Sequence, residues 1–294
     1  MEIIIKCPIC RGTEIVSFLK CKDYTISKEY YTISKCIKCN FKFTNPRPDS
    51  TEIGKFYESD EYISHSDSAK GIINHIYKIV RTYTLNKKVE LINKLSCEKN
   101  ILDIGCGTGA FLNHCSKNDW KTYGVEPNEG ARKFADENYK LKINKEEELT
   151  HFPTNSFPII TMWHVLEHVH LLNERINEIK RLLKKDGTLI IAVPNSNSWD
   201  AEHYKENWAA YDLPRHLYHF SPKTLGLLLN NHGLKIINKL PMKFDSYYIS
   251  LLSEKYIPGN TNILKGIING FRSNLMGTKD INKYSSIIYI IKNA

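Results

Sequence analysis

Apolar positions in the second two-thirds of the chain fall into short runs separated by segments of helical period. Asn100–Ile104, Lys121–Val125, residues 188–193, residues 234–240 and residues 284–292 read as strands, being short apolar runs bounded by turn residues. A further strand should start at Ile159 or Ile160, because Pro158 has no N–H for a ladder. Residues 110–117 and 224–232 read as helices. So does the stretch carrying Leu172, Ile176, Ile179 and Leu183 on one face, which Asp186-Gly187 should end. Strand and helix in alternation predict a parallel sheet covered on both faces.

Upstream the pattern is different. Ile72, Ile76, Ile79 and Tyr83 recur at spacings of three and four, and Leu91, Ile92 and Leu95 resume the stripe, which predicts one or two amphipathic helices over residues 70–95. Residues 51–57 fit a short helix capped by Asp49 or Ser50 after Pro46 and Pro48. Residues 58–66 have no period and carry Tyr62 among hydroxyl groups, so they read as a surface loop or as a lid over a polar substrate. Residues 195–221 and 242–283 read as insertions, the second holding one or two helices, at the sheet edge where substrate specificity tends to lie. The expected division is 1–48 for an N-terminal module, 49–96 for linker helices and lid, and 97–294 for the sheet domain.

The module is defined by Cys7-Pro8-Ile9-Cys10 and Cys36-Ile37-Lys38-Cys39. Two Cys-x-x-Cys turns brought together by a hairpin supply four thiolates converging on one point, as tetrahedral Zn²⁺ requires. With all four positions filled by sulfur, such a zinc is structural, since no position is left to activate water. Cys21, Cys97, Cys106 and Cys115 are read as small apolar residues.

Composition narrows the setting. The chain of 294 residues is 41% hydrophobic, enough to bury a core, and shows no apolar run long enough to span a bilayer and no apolar leader. A cytoplasmic protein is expected. Formal charge is +9; four thiolates and one Zn²⁺ together add −2, leaving +7. The basic residues are scattered among Ile and Asn, so nucleic acid ranks behind a small-molecule partner. Nothing here sets the oligomeric state.

The chemistry centres on Asp103-Ile104-Gly105-Cys106-Gly107-Thr108-Gly109, a strand end, a turn and a helix start. Spaced glycines let a ligand approach the backbone and permit positive φ. Gly105, Gly107 and Ala110 also satisfy a dinucleotide fingerprint. Asp103 discriminates: a buried carboxylate there repels a pyrophosphate but suits an ammonium or sulfonium cation. Glu126, at the end of the next strand and about 20 residues beyond the glycines, is placed to accept hydrogen bonds from a ribose diol.

This segment resembles motif I of the class I S-adenosylmethionine-dependent methyltransferases. The resemblance continues through Tyr123-Gly124-Val125-Glu126-Pro127, Met162-Trp163-His164-Val165-Leu166-Glu167-His168-Val169 and Pro214-Arg215-His216-Leu217-Tyr218-His219-Phe220-Ser221, covering most of the chain after Ile101. It implies an α/β fold, the Rossmann-like seven-stranded methyltransferase sheet with its last strand antiparallel. It also implies S-adenosylmethionine held by Asp103, Gly105, Cys106, Gly107, Gly109, Glu126 and Pro127, with Glu147 toward the adenine and Trp163 and His164 lining the pocket. Glu167 and His168 either fix the turn or take part in chemistry. The last of these segments is similar to one that supplies an active-site histidine in zinc-module-bearing sugar C-methyltransferases, which commonly carry Glu-His where this chain has Arg215-His216.

The reading that follows is transfer of a methyl group to oxygen or carbon of a small or medium polar metabolite. His216, then His219 and His164, are the candidate bases. An RNA methyltransferase docking its substrate through the zinc module, and a non-catalytic cofactor-binding interaction protein, are the alternatives.

Overall fold

The computed structural model describes residues 1–57, 72–259 and 262–294. Its centre is a mixed sheet built from β4 (Asn100–Ile104), β5 (Lys121–Val125), β6 (Phe157–Trp163), β7 (Leu183–Pro194), β9 (Leu234–Pro241) and β10 (Ser286–Asn293), in the order β5-β4-β6-β7-β10-β9. The first four run parallel, and β10 inserts antiparallel between β7 and β9. This is the expected Rossmann-like methyltransferase fold. Six strands stand where seven were expected. The seventh place is reduced to one parallel bridge between Asn144 and Val125, after which the chain turns away into a 3-10 segment at Glu146–His151.

Side chains alternate between two buried faces, as a sheet covered on both sides requires. Ile101, Ile159, Ile190 and Ile290 pack under Val89 and Ile92 of α1 (Ile72–Leu95) and Phe111 and Leu112 of α2 (Ala110–Ser116). Leu102, Ile160, Ile191 and Ile291 pack with Ile176 and Ile179 of α4 (Leu172–Leu182) and Leu225 and Leu228 of α6 (Pro222–Asn231). Between α2 and α4 comes α3 (Glu129–Tyr139), capped by the Asn128 side chain.

Two boundaries differ from the sequence reading. β6 includes Phe157 and Pro158; the register with β7 jumps from Phe157–Leu183 to Ile159–Thr188, so the proline sits where the ladder is already broken. Asp186-Gly187 does not end the helix, which stops at Leu182, but lies within that same irregularity of β7.

The cysteine-bearing segment forms a second sheet, β1 (Ile15–Lys22), β2 (Tyr30–Cys36) and β3 (Lys42–Thr44), completed by β8 (Tyr218–His219) from the far end of the chain. The first insertion contributes α5 (Trp199–Tyr204), and the second contributes α7 (Lys243–Tyr256) and α8 (Ile263–Lys279). A 3-10 turn at Ile53–Tyr57 stands where a short helix was expected, and the 58–66 loop with Tyr62 lies outside the described residues. No helix among the described residues is long and apolar enough to cross a membrane.

Candidate active site

β4 delivers Asp103 into the interior at 2% exposure, and the chain then turns through Gly105, Gly107 and Gly109 at φ 70°, 54° and 75°. A Cβ at Gly105 would stand 2.5 Å from Val165 of the β6 exit, so glycine is required there for the two loops to meet. At Gly107 nothing lies within 4 Å of the same position. One glycine closes the loop against its neighbour and the other leaves its outer side open.

Asp103 accepts a 2.6 Å hydrogen bond from the Thr161 hydroxyl. Burial pushes its pKa up to about 7, against that bond and the attraction of Lys88. Lys88 reaches in from α1 and lies over the Trp163 ring at 4.0 Å from its centroid. Burial draws the lysine down to about 8, with Asp103 and Asp245 resisting. Trp163 packs edge-on to Phe111, and its buried Nε1 has no hydrogen-bond partner among the described residues.

Glu126 directly follows β5 at 9% exposure. Its Oε2 accepts from the Gly107 N–H at 2.8 Å and its Oε1 from the Asn128 N–H at 3.0 Å, tying the glycine turn to the start of α3. Pro127 follows at the surface, and Cys106 is half-buried between the turn and Gly124. In the 3-10 segment Glu146 pairs with Arg175, Glu148 caps the Lys145 N–H, and Glu147 is left exposed.

Directly after β6 comes His164, which adopts a left-handed φ of 56°. Such strain at a strand end is concentrated at functional sites. Its Nε2 lies 3.1 Å from Asp245 of α7 and its Nδ1 3.4 Å from Glu167. Burial opposes its charge, but the two carboxylates outweigh it and hold the pKa near 10, so the ring is an imidazolium at neutral pH. Next along the edge, His168 and His216 meet edge to face with centroids 4.6 Å apart. His216 Nδ1 lies 2.9 Å from the Ala210 carbonyl, and its Nε2 stands 3.9 Å from Asp212. Arg215 turns away to bind Asp212 and the Phe56 carbonyl at 3.2 Å, with Asp23 at 3.8 Å, so its charge is neutralised apart from the histidine beside it. His219 is buried behind this group, 3.2 Å from the Thr44 hydroxyl, and desolvation with the nearby His216 depresses its pKa far below the ordinary value.

The glycine turn, Asp103, Glu126, Trp163 and His164 thus come together at the carboxyl edge of the sheet, with His216 beside them. Thr161, Lys88 and Asp245 were not legible beforehand. Thr161 lies two residues before Trp163 on the same strand and signals itself only once the register is known. Lys88 and Asp245 arrive from helices with no motif.

In the cysteine-bearing module Cys7, Cys10, Cys36 and Cys39 bring their sulfurs within 4.8 Å of one another. The Cys7–Cys39 and Cys10–Cys36 separations of 3.6 and 3.5 Å approach the ~3.8 Å edge of a tetrahedron with bonds of ~2.3 Å. The two knuckles are built alike, with Arg11 and Asn40 both at positive φ directly after the second cysteine. The donor set fits a zinc ion.

Residues 77–239 match a family described as a methyltransferase domain. Among curated proteins, the chain is 31% identical over 146 residues to an uncharacterised protein of Methanocaldococcus jannaschii, covering 48% of this chain and 62% of that one. It is 32% identical over 108 residues to a ubiquinone biosynthesis O-methyltransferase of Actinobacillus pleuropneumoniae, covering 33% and 46%. The chain therefore spans about half the length of the curated relatives it matches. Among solved structures, a geranyl diphosphate methyltransferase in complex with S-adenosylmethionine aligns with a TM-score of 0.55 at 13% identity, over 80% of this chain and 95% of that one. The geranyl diphosphate C-methyltransferase of Streptomyces coelicolor gives 0.51 at 14% identity, over 71% and 76%. These two likenesses concern the fold.

Proposed function

The chain belongs to the methyltransferase-domain family, and from that premise we propose that it transfers a methyl group from S-adenosylmethionine to oxygen or carbon of a small or medium polar metabolite. The observation that carries the reading is the pairing of a buried carboxylate, Asp103, with a glycine turn whose Gly107 side is open. A cation is the ligand such a pair suits.

The donor supplies an electrophilic methyl group on a sulfonium. Asp103 is suited to its ammonium, and the open backbone at Gly105, Gly107 and Gly109 with half-buried Cys106 to its body. Glu126 and neighbouring Pro127 are suited to the ribose and exposed Glu147 to the adenine. The unpartnered Nε1 of Trp163 and the imidazolium of His164 border the same space. Of the three histidines proposed to act on the acceptor, His164 already carries its proton and His219 is walled off behind Thr44. His216 keeps its Nε2 for the acceptor while Nδ1 is committed to Ala210, and we rank it first.

The cysteine cluster is proposed to hold one structural zinc, as the resemblance to zinc-module-bearing sugar C-methyltransferases implies. We place the protein in the cytoplasm, where a site of four reduced cysteines persists.

Titration calorimetry of the purified protein with S-adenosylmethionine and with NAD tests the donor. Saturable binding of the first is expected, weakened at least about tenfold in Asp103→Asn. Tight NAD binding without affinity for the sulfonium would refute the reading. A methyl-transfer screen over metabolite extracts should then name the acceptor, with kcat in His216→Asn lowered by about 10²–10⁴.

A further inference from the structure

Glu167 departs from the rule that a buried carboxylate has its oxygens hydrogen-bonded. Its residue is 1% exposed, and neither carboxylate oxygen accepts a hydrogen bond among the described residues. His164 Nδ1 approaches Oε1 only to 3.4 Å, without hydrogen-bond geometry. A buried carboxylate in ion-pair contact with His164 thus leaves both oxygens without a hydrogen-bond donor among the described residues.

What faces it is two histidines. One ligand atom each from Glu167, His168 and His216 lies within 4.8 Å of the others. Both rings have their Nδ1 engaged by backbone: His168 with the Arg215 carbonyl at 3.1 Å, where the Tyr57 hydroxyl also stands at 2.9 Å, and His216 with the Ala210 carbonyl at 2.9 Å. An Nδ1–H given to a carbonyl leaves the Nε2 lone pair outward, which is how metal-ligating histidines are oriented.

We propose that Glu167, His168 and His216 form a second metal site, separate from the four-cysteine cluster, for a divalent first-row transition ion. Two imidazoles and one carboxylate suit Mn²⁺, Fe²⁺, Co²⁺ or Zn²⁺ better than Ca²⁺. Ligand atoms around an ion with bonds of ~2.1 Å stand roughly 3–4 Å apart, a spacing that atoms within 4.8 Å of one another reach by small side-chain movements. Three protein ligands leave coordination positions open. The site follows Val165, the residue seated on Gly105, and so lies beside the donor loop.

Resting on the methyltransferase reading, the open position takes a hydroxyl of the acceptor. The ion lowers the pKa of that O–H, and its proton leaves to solvent. The oxygen lone pair then forms the bond to the methyl carbon as the carbon–sulfur bond breaks, its electron pair remaining on sulfur as a neutral thioether. His216 then acts on the acceptor through the ion and not as the base itself.

The test uses full-length protein with its cysteine site filled by Zn²⁺, titrated with Mn²⁺ and followed by the electron paramagnetic resonance of free Mn²⁺. One equivalent should bind to the wild type and to His151→Asn, with affinity reduced at least about tenfold in Glu167→Gln and His216→Asn. Binding that survives both substitutions, or no binding at millimolar Mn²⁺, overturns the site. Should the variants fail to fold by circular dichroism, spin-echo modulation on the wild type decides: two imidazole nitrogen couplings are expected, and their absence refutes the triad. Because the readout needs no methyl donor, Mn²⁺ bound by a protein that ignores S-adenosylmethionine would sink the methyltransferase reading alone.

Discussion

Asp103 is the residue on which the proposed donor recognition turns, and its chemistry has a sign that can be measured. Its folded pKa of about 7 lies above its ordinary 3.8 because burial disfavours the charge. The folded protein therefore binds more protons than the unfolded chain between those values, so its stability falls as pH rises across that window. Asp103→Asn removes the effect. Thermal melts should find the variant more stable than wild type above pH 7, by roughly 2–4 kcal/mol, and the two converging toward pH 4. Cation binding works the other way, since it favours the ionised acid: donor affinity of the wild type should rise with pH through about 7, with proton release seen by calorimetry in buffers of different ionisation enthalpy. A flat affinity profile would show that Asp103 is not the counter-ion. Lys88 is the cation that faces Asp103 without a donor, and no sequence motif marked it.

At the scale of elements, the glycine turn and the β6 exit are fitted to one another. The two inner glycines should respond differently to alanine. Gly105→Ala drives a Cβ to 2.5 and 2.8 Å from the Val165 methyls at a φ of 70°, and should cost about 2–4 kcal/mol in unfolding free energy. Gly107→Ala meets no atom within 4 Å and carries only the left-handed strain, about 1 kcal/mol, while filling the face left to the ligand. Its loss should appear in donor affinity more than in the melt; equal effects of the two would argue against that face as the binding surface. The helix stripe before β4 shows what period alone leaves out. Ile92 is buried as its spacing predicts, with Leu91 and Leu95 half-buried, but Ile79 and Tyr83 stay 57% and 50% exposed. Tyr83 instead meets Phe244 of α7 edge-on, lining with Lys88 and Asp245 a groove of about 440 Å³ between α1 and the second insertion.

The whole molecule does not divide where its composition changes. β3 of the cysteine-bearing sheet pairs with β8, so Phe43 is registered with Tyr218 and Lys42 with His219. The Thr44 hydroxyl donates to the His216 carbonyl at 2.6 Å, and Thr44 N–H to the Leu217 carbonyl at 3.0 Å. Cys7, Ile9, Phe41 and Phe43 share one continuous core with Ile160 and Met162 of the main sheet. Removing the proposed zinc should therefore loosen the segment that carries His216. After chelation, calorimetry should show a single transition lowered by roughly 10 °C or more, and hydrogen exchange should quicken at residues 213–220 together with 1–47. Two separated transitions, with 213–220 undisturbed, would mean that the cysteine module stands by itself.

Some of this was written in the chain order. The alternation of apolar runs, the glycines with Asp103 before them and Glu126 after the next strand, and the paired cysteines are local patterns, because backbone sterics, strand period and thiolate spacing act over a few residues. The antiparallel last strand came from resemblance, and the structure bears it out. What the local patterns leave open is every contact between distant segments. Whether a seventh strand forms depends on how far residues 140–144 can pair before the chain turns. Whether Glu167 fixes a turn or offers its carboxylate to His168 and His216 depends on residues 212–217 folding back over it, with the Leu217 N–H given to the Glu167 carbonyl at 2.8 Å. Burial and proximity set the charge of Asp103, Lys88 and His164, and both are properties of the packed fold alone.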